Sequence, residues 1–278
     1  MFGDVTRVGA NFHAQEAWGN LKKVNGQIGQ IQSRLSTGKR INSAEDDTSG
    51  YALSKHLESR TRGLSQALDN VGTAKNVLNI AEGGFQAQMS LLQTMKEKAT
   101  QAADGSYSTA QRTAIQDQFA ALRTEFDDIS SDTKFNDTAL MSATAMTFHV
   151  GEGSTDTLAV TFGTSVAATV GEDNTDISAT TLATQAGATA GIALLDTAIK
   201  SLAKSIQNVG DNNARLSSKE ESLSLAISNT EATRSRIEDA DFAKEQMGMM
   251  KLQILQQTTI SSFSQANSAP QMVLSLLR

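Results

Sequence analysis

The chain contains no cysteine and a single proline among its 278 residues. Without cysteine it can form neither a disulfide bond nor a thiolate metal site. Aromatic side chains make up only 5% of the residues and hydrophobic side chains 39%, which is little for the wide core of a compact globular domain. The composition therefore favours long helices that pack along a narrow core.

Common catalytic and nucleotide-binding motifs are absent as well. The sequence has no His-Glu-x-x-His, Gly-x-Gly-x-x-Gly, Gly-x-x-x-x-Gly-Lys-Ser/Thr or Gly-x-Ser-x-Gly segment. Its three histidines, His13, His56 and His149, lack the spacing of metal ligands. We therefore predict that the protein is not an enzyme and that it binds neither a metal nor another cofactor.

One group of acidic residues has the chemistry to hold Ca²⁺ or Mg²⁺. Glu238, Asp239 and Asp241 follow Arg234 and Arg236. We favour surface ion pairing over a metal site here, because the acids lie beside arginines and lack the glycine turn of a metal-binding loop.

Positive charge is missing from a long central stretch. The formal net charge is −6, and no lysine or arginine lies between Lys134 and Lys200. This balance argues against nucleic-acid binding, which needs a basic face to neutralise phosphates.

No run reaches the roughly 18 apolar residues of a membrane span, and residues 1–7 lack the apolar stretch of a secretory signal. We predict no membrane insertion, and either a cytoplasmic location or export by a route that does not use such a signal.

The first part of the chain has the apolar spacing of a narrow helix. Apolar residues between 21 and 35 recur at intervals of three and four, which predicts a helix with one apolar stripe. Gly26 and Gly29 lie within it, each at a cost of about 1 kcal/mol in helix propensity. We therefore expect this helix to need a partner.

A longer helical pattern follows. A helix predicted over about 44–103, with Asn42 or Ser43 as its cap, keeps a seven-residue apolar period. A turn at 104–106 joins it to a second helical pattern over 115–129. A short turn between two such helices predicts an antiparallel hairpin.

The middle of the chain changes period. Residues 146–150 and 158–162 alternate apolar and polar side chains on either side of a glycine-rich turn, which predicts a β-hairpin. Residues 163–190 are rich in alanine, threonine and glycine, and we predict a loop-rich, exposed segment there. From 195 to 237 the apolar spacing of a long helix returns.

Both ends of the chain carry apolar residues that a pair of narrow helices can cover only in part. Residues 273–277 are almost entirely apolar, although chain ends are usually frayed and polar. We predict that these surfaces pack within the molecule and also between subunits, and a heterologous contact that does not close produces a helical filament. The residues predicted to form this self-assembly surface are Leu21, Val24, Ile28, Ile31, Leu35, Ile254, Leu255, Phe263, Val273, Leu274, Leu276 and Leu277.

Several of these stretches resemble the signatures of bacterial flagellins. Residues 35–47 (LSTGKRINSAEDD) and 63–67 (GLSQA) resemble the N-terminal signature of that family. Residues 235–242 (SRIEDADF), residues 253–257 (QILQQ) and the stretch from Gln265 to Arg278, with its apolar end, resemble the C-terminal signature.

The resemblance covers roughly residues 20–141 and 192–278 and implies a structural subunit that self-assembles into the bacterial flagellar filament and serves swimming motility. It implies export of the unfolded chain, an extracellular location, and contacts with an export chaperone, the filament cap and hook-associated proteins. A hook–filament junction protein shares the same terminal design and stays an alternative. A soluble coiled-coil adaptor is a second alternative.

One departure from the family concerns recognition by the animal innate-immune flagellin receptor. Thr94, Lys96, Glu97 and Lys98 lie where immune-stimulating flagellins carry Arg-Val-Arg-Glu-Leu, with Met95 between them, and Gln118 lies where they carry a glutamate. The resemblance therefore implies weak activation of that receptor.

Together these patterns predict a mainly α fold, an elongated antiparallel helical rod or coiled-coil bundle with a small β-hairpin region in the middle of the chain. The predicted segments are a filament-core helix and linker over 1–43, the first rod helices over 44–141, a variable β-hairpin and loop segment over 142–190, the last rod helix over 191–235, and a C-terminal filament-core helix over 236–278.

Overall fold

The computed structural model describes residues 11–142 and 145–275, and their side chains as far as residue 268. The long elements are helices, and three short antiparallel strand pairs lie between the third helix and the fourth. This confirms the predicted mainly α fold with a small β region. The helices are α1 (Phe12–Thr37), α2 (Thr48–Ala103), α3 (Thr109–Asp132), α4 (Gln185–Glu238) and α5 (Phe242–Ser275). The strands are β1 (Lys134–Phe135), β2 (Thr138–Ala139), β3 (Ala145–His149), β4 (Thr157–Thr161), β5 (Ser165–Val166) and β6 (Thr169–Val170).

The chain divides into two compact units. The terminal unit combines the residues up to Arg60 with those from Asn229 onward, and the central unit comprises Thr61–Ser228. The predicted division into five segments stays a prediction.

The core of the central unit follows the apolar periods of α2 and α4. The two helices run antiparallel: Lys75 forms an ion pair with Glu220 at 2.8 Å, and four residues further along α2 the side chain of Asn79 accepts from the amide of Asn213 at 3.2 Å. The seven-residue period therefore marks the buried face of each helix, as predicted. Its buried residues are Leu64, Val71, Leu78, Phe85, Leu92 and Ala99 on α2, and Leu195, Leu202, Val209, Leu216 and Leu223 on α4.

The predicted helical hairpin is confirmed between α2 and α3. Ser108 and Gln111 form a capping box at the start of α3, which satisfies backbone N–H groups that the first turn leaves free. The guanidinium of Arg112 donates to the carbonyls of Ala102 and Asp104 at the end of α2. The apolar face of α3 is buried in the core, as Phe119 and Phe126 show.

The predicted β-hairpin is confirmed. Strands β3 and β4 pair antiparallel, with Met146 opposite Val160 and Phe148 opposite Leu158. These side chains point to one face of the hairpin, and Leu158 and Val160 are buried.

The prediction for residues 163–190 was wrong in two respects. Residues 185–190 are helical, because α4 begins at Gln185. The rest is not an exposed loop, since Val170, Ile177 and Leu182 are fully buried. Small residues allow this close packing: Gly171 has a φ of +68°, and a Cβ there would lie 2.4 Å from the backbone carbon of Ser201.

A buried polar network fixes this segment to the helices. The amide nitrogen of Gln88 donates to the carbonyls of Phe126 and Ser165, each at 2.9 Å. The hydroxyl of Ser201 donates to the carbonyl of Val170 at 2.8 Å. Buried polar groups need such partners, so these side chains determine where the segment lies on the helices.

The predicted start of α2 was wrong by four residues. The helix begins at Thr48, and neither Asn42 nor Ser43 caps it. Instead the carboxylate of Asp47 accepts from the backbone N–H groups of Ser49 and Gly50, at 3.1 and 2.9 Å. An aspartate at the cap serves the first N–H groups better than a residue several positions earlier can.

Candidate assembly interface

The terminal unit is built on the pairing of α1 with α5. The amide of Asn11 donates to the carbonyl of Ala266 at 2.8 Å, and the amide of Gln256 donates to the side chain of Asn25 at 2.7 Å. The guanidinium of Arg34 lies 3.4 Å from the carboxylate of Glu245. The residue numbers rise on α1 as they fall on α5, so the two helices run antiparallel.

The apolar stripe of α1 faces α5 but is not fully covered by it. On the facing side of α5, Met249 is buried, and Leu252 and Phe263 are half-buried. The two backbones come close, because a Cβ on Gly248 would lie 3.1 Å from the Cδ1 of Ile31. Every member of the predicted α1 stripe is half-buried, namely Leu21, Val24, Ile28, Ile31 and Leu35.

Helix α5 carries a second apolar stripe on the face turned away from α1. Met247, Met250 and Ile254 recur at intervals of three and four and are exposed by 60%, 51% and 65%. Leu255, exposed by 41%, lies beside the α1 contact. Helix α5 therefore has two opposite apolar stripes, and α1 packs against only one of them.

The predicted self-assembly surface includes Ile254 but not Met247 and Met250, which the sequence analysis missed. Their spacing is the signal that could have found them, because 247, 250 and 254 repeat the three-four interval on a face of the helix opposite Leu252.

A groove runs along one side of the helix pair. One stretch of about 550 Å³ is lined by Val24, Gln27 and Leu255, and an adjoining stretch of about 380 Å³ shares Gln27 and Leu255 and reaches Ile31. The groove exposes part of the predicted self-assembly surface between the two helices.

The remaining residues of that predicted surface lie at the end of the chain. Val273 and Leu274 belong to α5, although their side chains are beyond those that the structure describes. Leu276 and Leu277 lie outside the described residues. Their part in assembly stays a prediction.

The two linkers of the terminal unit pair with each other. Gly38 ends α1 with a φ of +72°, a conformation that favours glycine. The chain then runs beside the start of the other linker, where Arg40 N–H donates to the Glu238 carbonyl at 2.7 Å and Ala240 N–H donates to the Gly38 carbonyl at 2.9 Å. With a third bond from the Ile41 N–H to the Glu238 carbonyl at 3.3 Å, three backbone hydrogen bonds join the segment after α1 to the end of α4 and the linker that follows it.

Of the acidic residues 238, 239 and 241, Glu238 makes ion pairs, as predicted, but it is not at the surface. The side chain of Glu238 is only 5% exposed and lies 2.5 Å from the ammonium of Lys39 and 3.4 Å from the guanidinium of Arg234. The linker pairing brings Lys39 to this carboxylate and covers it. Among the described residues, no group of three histidine, aspartate or glutamate side chains has an arrangement that could bind a metal.

Asp46 joins the loop before α2 to α1. Its carboxylate accepts from the Gln30 amide at 2.9 Å and from the Asn42 and Ser43 N–H groups at 3.0 and 3.2 Å. The hydrogen bond from Gln30 and that from Asn42 favour the charged form and lower the pKa of Asp46 below its usual 3.8.

This lowered pKa predicts a pH dependence of the terminal unit. A carboxyl group whose pKa is lower in the folded state stabilises that state above the unfolded pKa, and the stabilisation is lost as the pH falls through the folded pKa. We expect Asp46→Asn to reduce stability by about 1 kcal/mol at neutral pH and to flatten the acid limb of the stability curve. Urea unfolding followed from neutral pH to below pH 4 measures both effects.

Glu45 offers the matched control for that measurement. It is exposed and adjacent to Asp46 in the chain, so Glu45→Gln is expected to leave the acid limb unchanged. An equal response of the two variants would contradict the role given to Asp46.

The residues of the predicted receptor region lie on two helices of the central unit. Thr94, Lys96, Glu97 and Lys98 are on α2, and Gln118 is exposed on α3. Lys96 forms an ion pair with Asp196 at 2.5 Å. Weak activation of the receptor stays a prediction.

The paired helices α1 and α5 leave apolar stripes uncovered, and paired linkers join them to long helices. This arrangement is typical of a structural protein that associates with other protein surfaces. No helix among the described residues meets the length and hydropathy required to traverse a lipid bilayer. Residues 8–146 match the family model described as the bacterial flagellin N-terminal helical region, and residues 192–277 match the bacterial flagellin C-terminal helical region. The chain belongs to the bacterial flagellin family.

Individual flagellins and filament core proteins are similar to this chain over nearly its whole length. The flagellin FlaB1 of Treponema pallidum is 33% identical over 281 aligned positions, which cover 96% of this chain and 98% of the relative. A flagellin of Listeria innocua is 30% identical, with 98% of this chain and 99% of the relative covered. A structure described as a flagellar hook-associated protein from Vibrio parahaemolyticus has a TM-score of 0.58 at 13% identity and covers 70% of this chain and 100% of that one. At that identity the structural likeness shows the fold alone.

Proposed function

We propose that this chain is a non-catalytic subunit of an extracellular flagellar filament and that it polymerises through the α1–α5 pair. The observation that carries the proposal is the second apolar stripe of α5, formed by Met247, Met250 and Ile254, which no other described residue of the chain covers. Exposed apolar stripes of this kind mark protein–protein contacts. Burial of these side chains in neighbouring subunits removes apolar area from water at about 25 cal/mol per Å².

The arrangement also favours a polymer over a closed dimer. The groove beside Leu255 and the stripe at Ile254 are different surfaces of one helix pair. When one copy's stripe meets a different surface of the next copy, the contact is heterologous and can repeat without closing. An export chaperone, a filament cap and hook-associated proteins are the further partners that we propose for the same terminal helices.

Seeded polymerisation tests the proposal. Purified chain is added to short filament fragments and followed by electron microscopy, with mass spectrometry to verify that both ends are intact. We expect long helical filaments that extend the seeds. Discrete oligomers would support a coiled-coil adaptor, and binding to filament ends without extension would support a hook–filament junction protein.

The relatives favour the filament subunit over the junction protein. Filament core proteins and flagellins match this chain at 30–34% identity over nearly full length, whereas the hook-associated structure shares 13% identity.

We also propose that the chain is a weak activator of the animal flagellin receptor. Thr94 and Lys96 replace two arginines of the stimulating motif, and lysine lacks the planar fork with which arginine binds carboxylates. Lys96 is in addition held by Asp196. We expect a reporter-cell response to monomers about tenfold or more below that of a stimulating flagellin, which corresponds to about 1.4 kcal/mol of binding free energy.

The reverse substitution provides the control. Thr94→Arg combined with Lys96→Arg is expected to raise the reporter response. A full response of the unmodified chain, or no gain in the arginine variant, would contradict the proposal.

A further inference from the structure

The central unit has a cationic groove between the β3–β4 hairpin and α4. Its volume is about 370 Å³, and Val150 and Leu158 form an apolar floor that is 3% and 7% exposed. Arg215 and Lys219 lie one helical turn apart on its rim. No acidic side chain lines the groove, and neither cation forms an ion pair with another described residue.

An acidic stripe lies on α3 of the same unit. At 100° per residue its four carboxylates fall within one narrow sector, and that sector is opposite the buried face carrying Phe119 and Phe126. The stripe consists of Asp117, Glu125, Asp128 and Asp132, all exposed and without an ion pair to any described residue.

The arginines of α3 do not neutralise that stripe. Arg112 donates to carbonyls at the end of α2, and Arg123 donates to the carbonyl of Ser178. Both side chains therefore serve backbone acceptors on the inner side of the helix. The outer face of α3 has a net negative charge that no cation among the described residues pairs with.

We propose that the cationic groove of one subunit binds the acidic stripe of α3 in a second copy of the same chain. No residue of α3 lines the groove within one molecule, so the two surfaces meet only between copies. Asp128 and Asp132 are one helical turn apart, as are Arg215 and Lys219, which allows two ion pairs from one helix-to-groove contact. The contact is heterologous, since the two partners use different surfaces, and it repeats along a polymer.

This inference rests on the proposed polymerisation and adds to it a contact between central units. Ion pairs at such a rim contribute modestly to affinity but strongly to register and specificity, because like charges brought together are costly. The contact therefore selects how neighbouring subunits align, in addition to the apolar burial at the terminal helices.

Charge reversal in three combinations tests the contact. The first variant carries Arg215→Glu with Lys219→Glu, the second carries Asp128→Lys with Asp132→Lys, and the third carries all four substitutions. We expect each of the first two to raise the critical concentration for polymerisation by about tenfold. The third restores it towards the wild-type value, because its groove then carries two glutamates and positions 128 and 132 of its stripe carry two lysines.

A mixture of the first two variants gives a second, independent readout. The groove-reversed chain is acidic both in its groove and at residues 128 and 132, and the stripe-reversed chain is basic at both places. The two are therefore expected to copolymerise in alternation although each polymerises poorly alone. Sodium chloride is expected to weaken wild-type assembly and to strengthen assembly of either single-surface variant, since it screens attraction in the first case and repulsion in the second.

Lys200→Glu on α4 and Glu221→Lys on the same helix, both outside the groove lining, are the controls. If the groove-reversed and the stripe-reversed variants both polymerise at the critical concentration of the wild-type chain, the contact is overturned while the filament proposal stays intact. Failure of the fourfold variant and of the mixture, with circular dichroism showing folded chains, would overturn it as well. If the wild-type chain does not extend filaments at all, the filament proposal itself fails and this contact fails with it.

Discussion

Replacing Ile254 by aspartate is expected to abolish filament formation without loss of stability in the central unit. The Ile254 side chain is 65% exposed on the face of α5 turned away from α1, so the substitution removes little packing within one molecule. In the proposed filament a neighbouring subunit covers this position. An unpaired carboxylate buried there costs several kcal/mol, and about 4 kcal/mol raises a dissociation constant roughly a thousandfold.

The measurement is the critical concentration in seeded polymerisation, together with thermal unfolding of the same sample. Ile254→Leu is the matched control, because it keeps an apolar side chain of the same volume, and it is expected to polymerise normally. Normal filaments from the aspartate variant would refute the placement of this stripe in an interface. Loss of polymerisation with both variants would show that the position responds to any change of shape.

The opposite pattern is expected for Phe85→Ala in the core of the central unit. Phe85 is fully buried at the middle of the α2 seam, and removing a buried phenylalanine side chain costs about 3–5 kcal/mol through lost transfer free energy and the cavity left behind. For a unit of this size we expect the melting temperature to fall by about 10 °C. Differential scanning calorimetry measures this fall directly.

Ile80→Ala on the same helix is the comparison. Ile80 is 41% exposed, and its truncation is expected to cost less than about 1 kcal/mol. If the two variants unfold at the same temperature, the seven-residue seam does not form the core described above. Together the Ile254 and Phe85 substitutions separate the surface that assembles from the core that folds.

The sequence by itself determined the helical seams and the family. Residues 64, 71, 78, 85, 92 and 99 repeat every seven positions and are all buried, because a helix places such residues on one face whatever packs against it. The β-hairpin followed equally directly, since alternation shows which side chains of each strand share a face. These features are local periodicities, and a periodicity can be read from a single chain.

Tertiary structure decided the features that depend on residues far apart in the chain. In the alanine- and threonine-rich segment before α4, Gln88 and Ser201 donate hydrogen bonds to backbone carbonyls and hold the segment against the helices. No pattern within the segment itself predicts those partners. Lys39 covers Glu238 only because two linkers pair across about 200 residues. The faces of α5 likewise became distinguishable only once α1 occupied one of them and left Met247, Met250 and Ile254 exposed. Sequence periodicity shows that a side chain is apolar and which residues share its face, whereas the partner that covers that face is fixed by long-range packing.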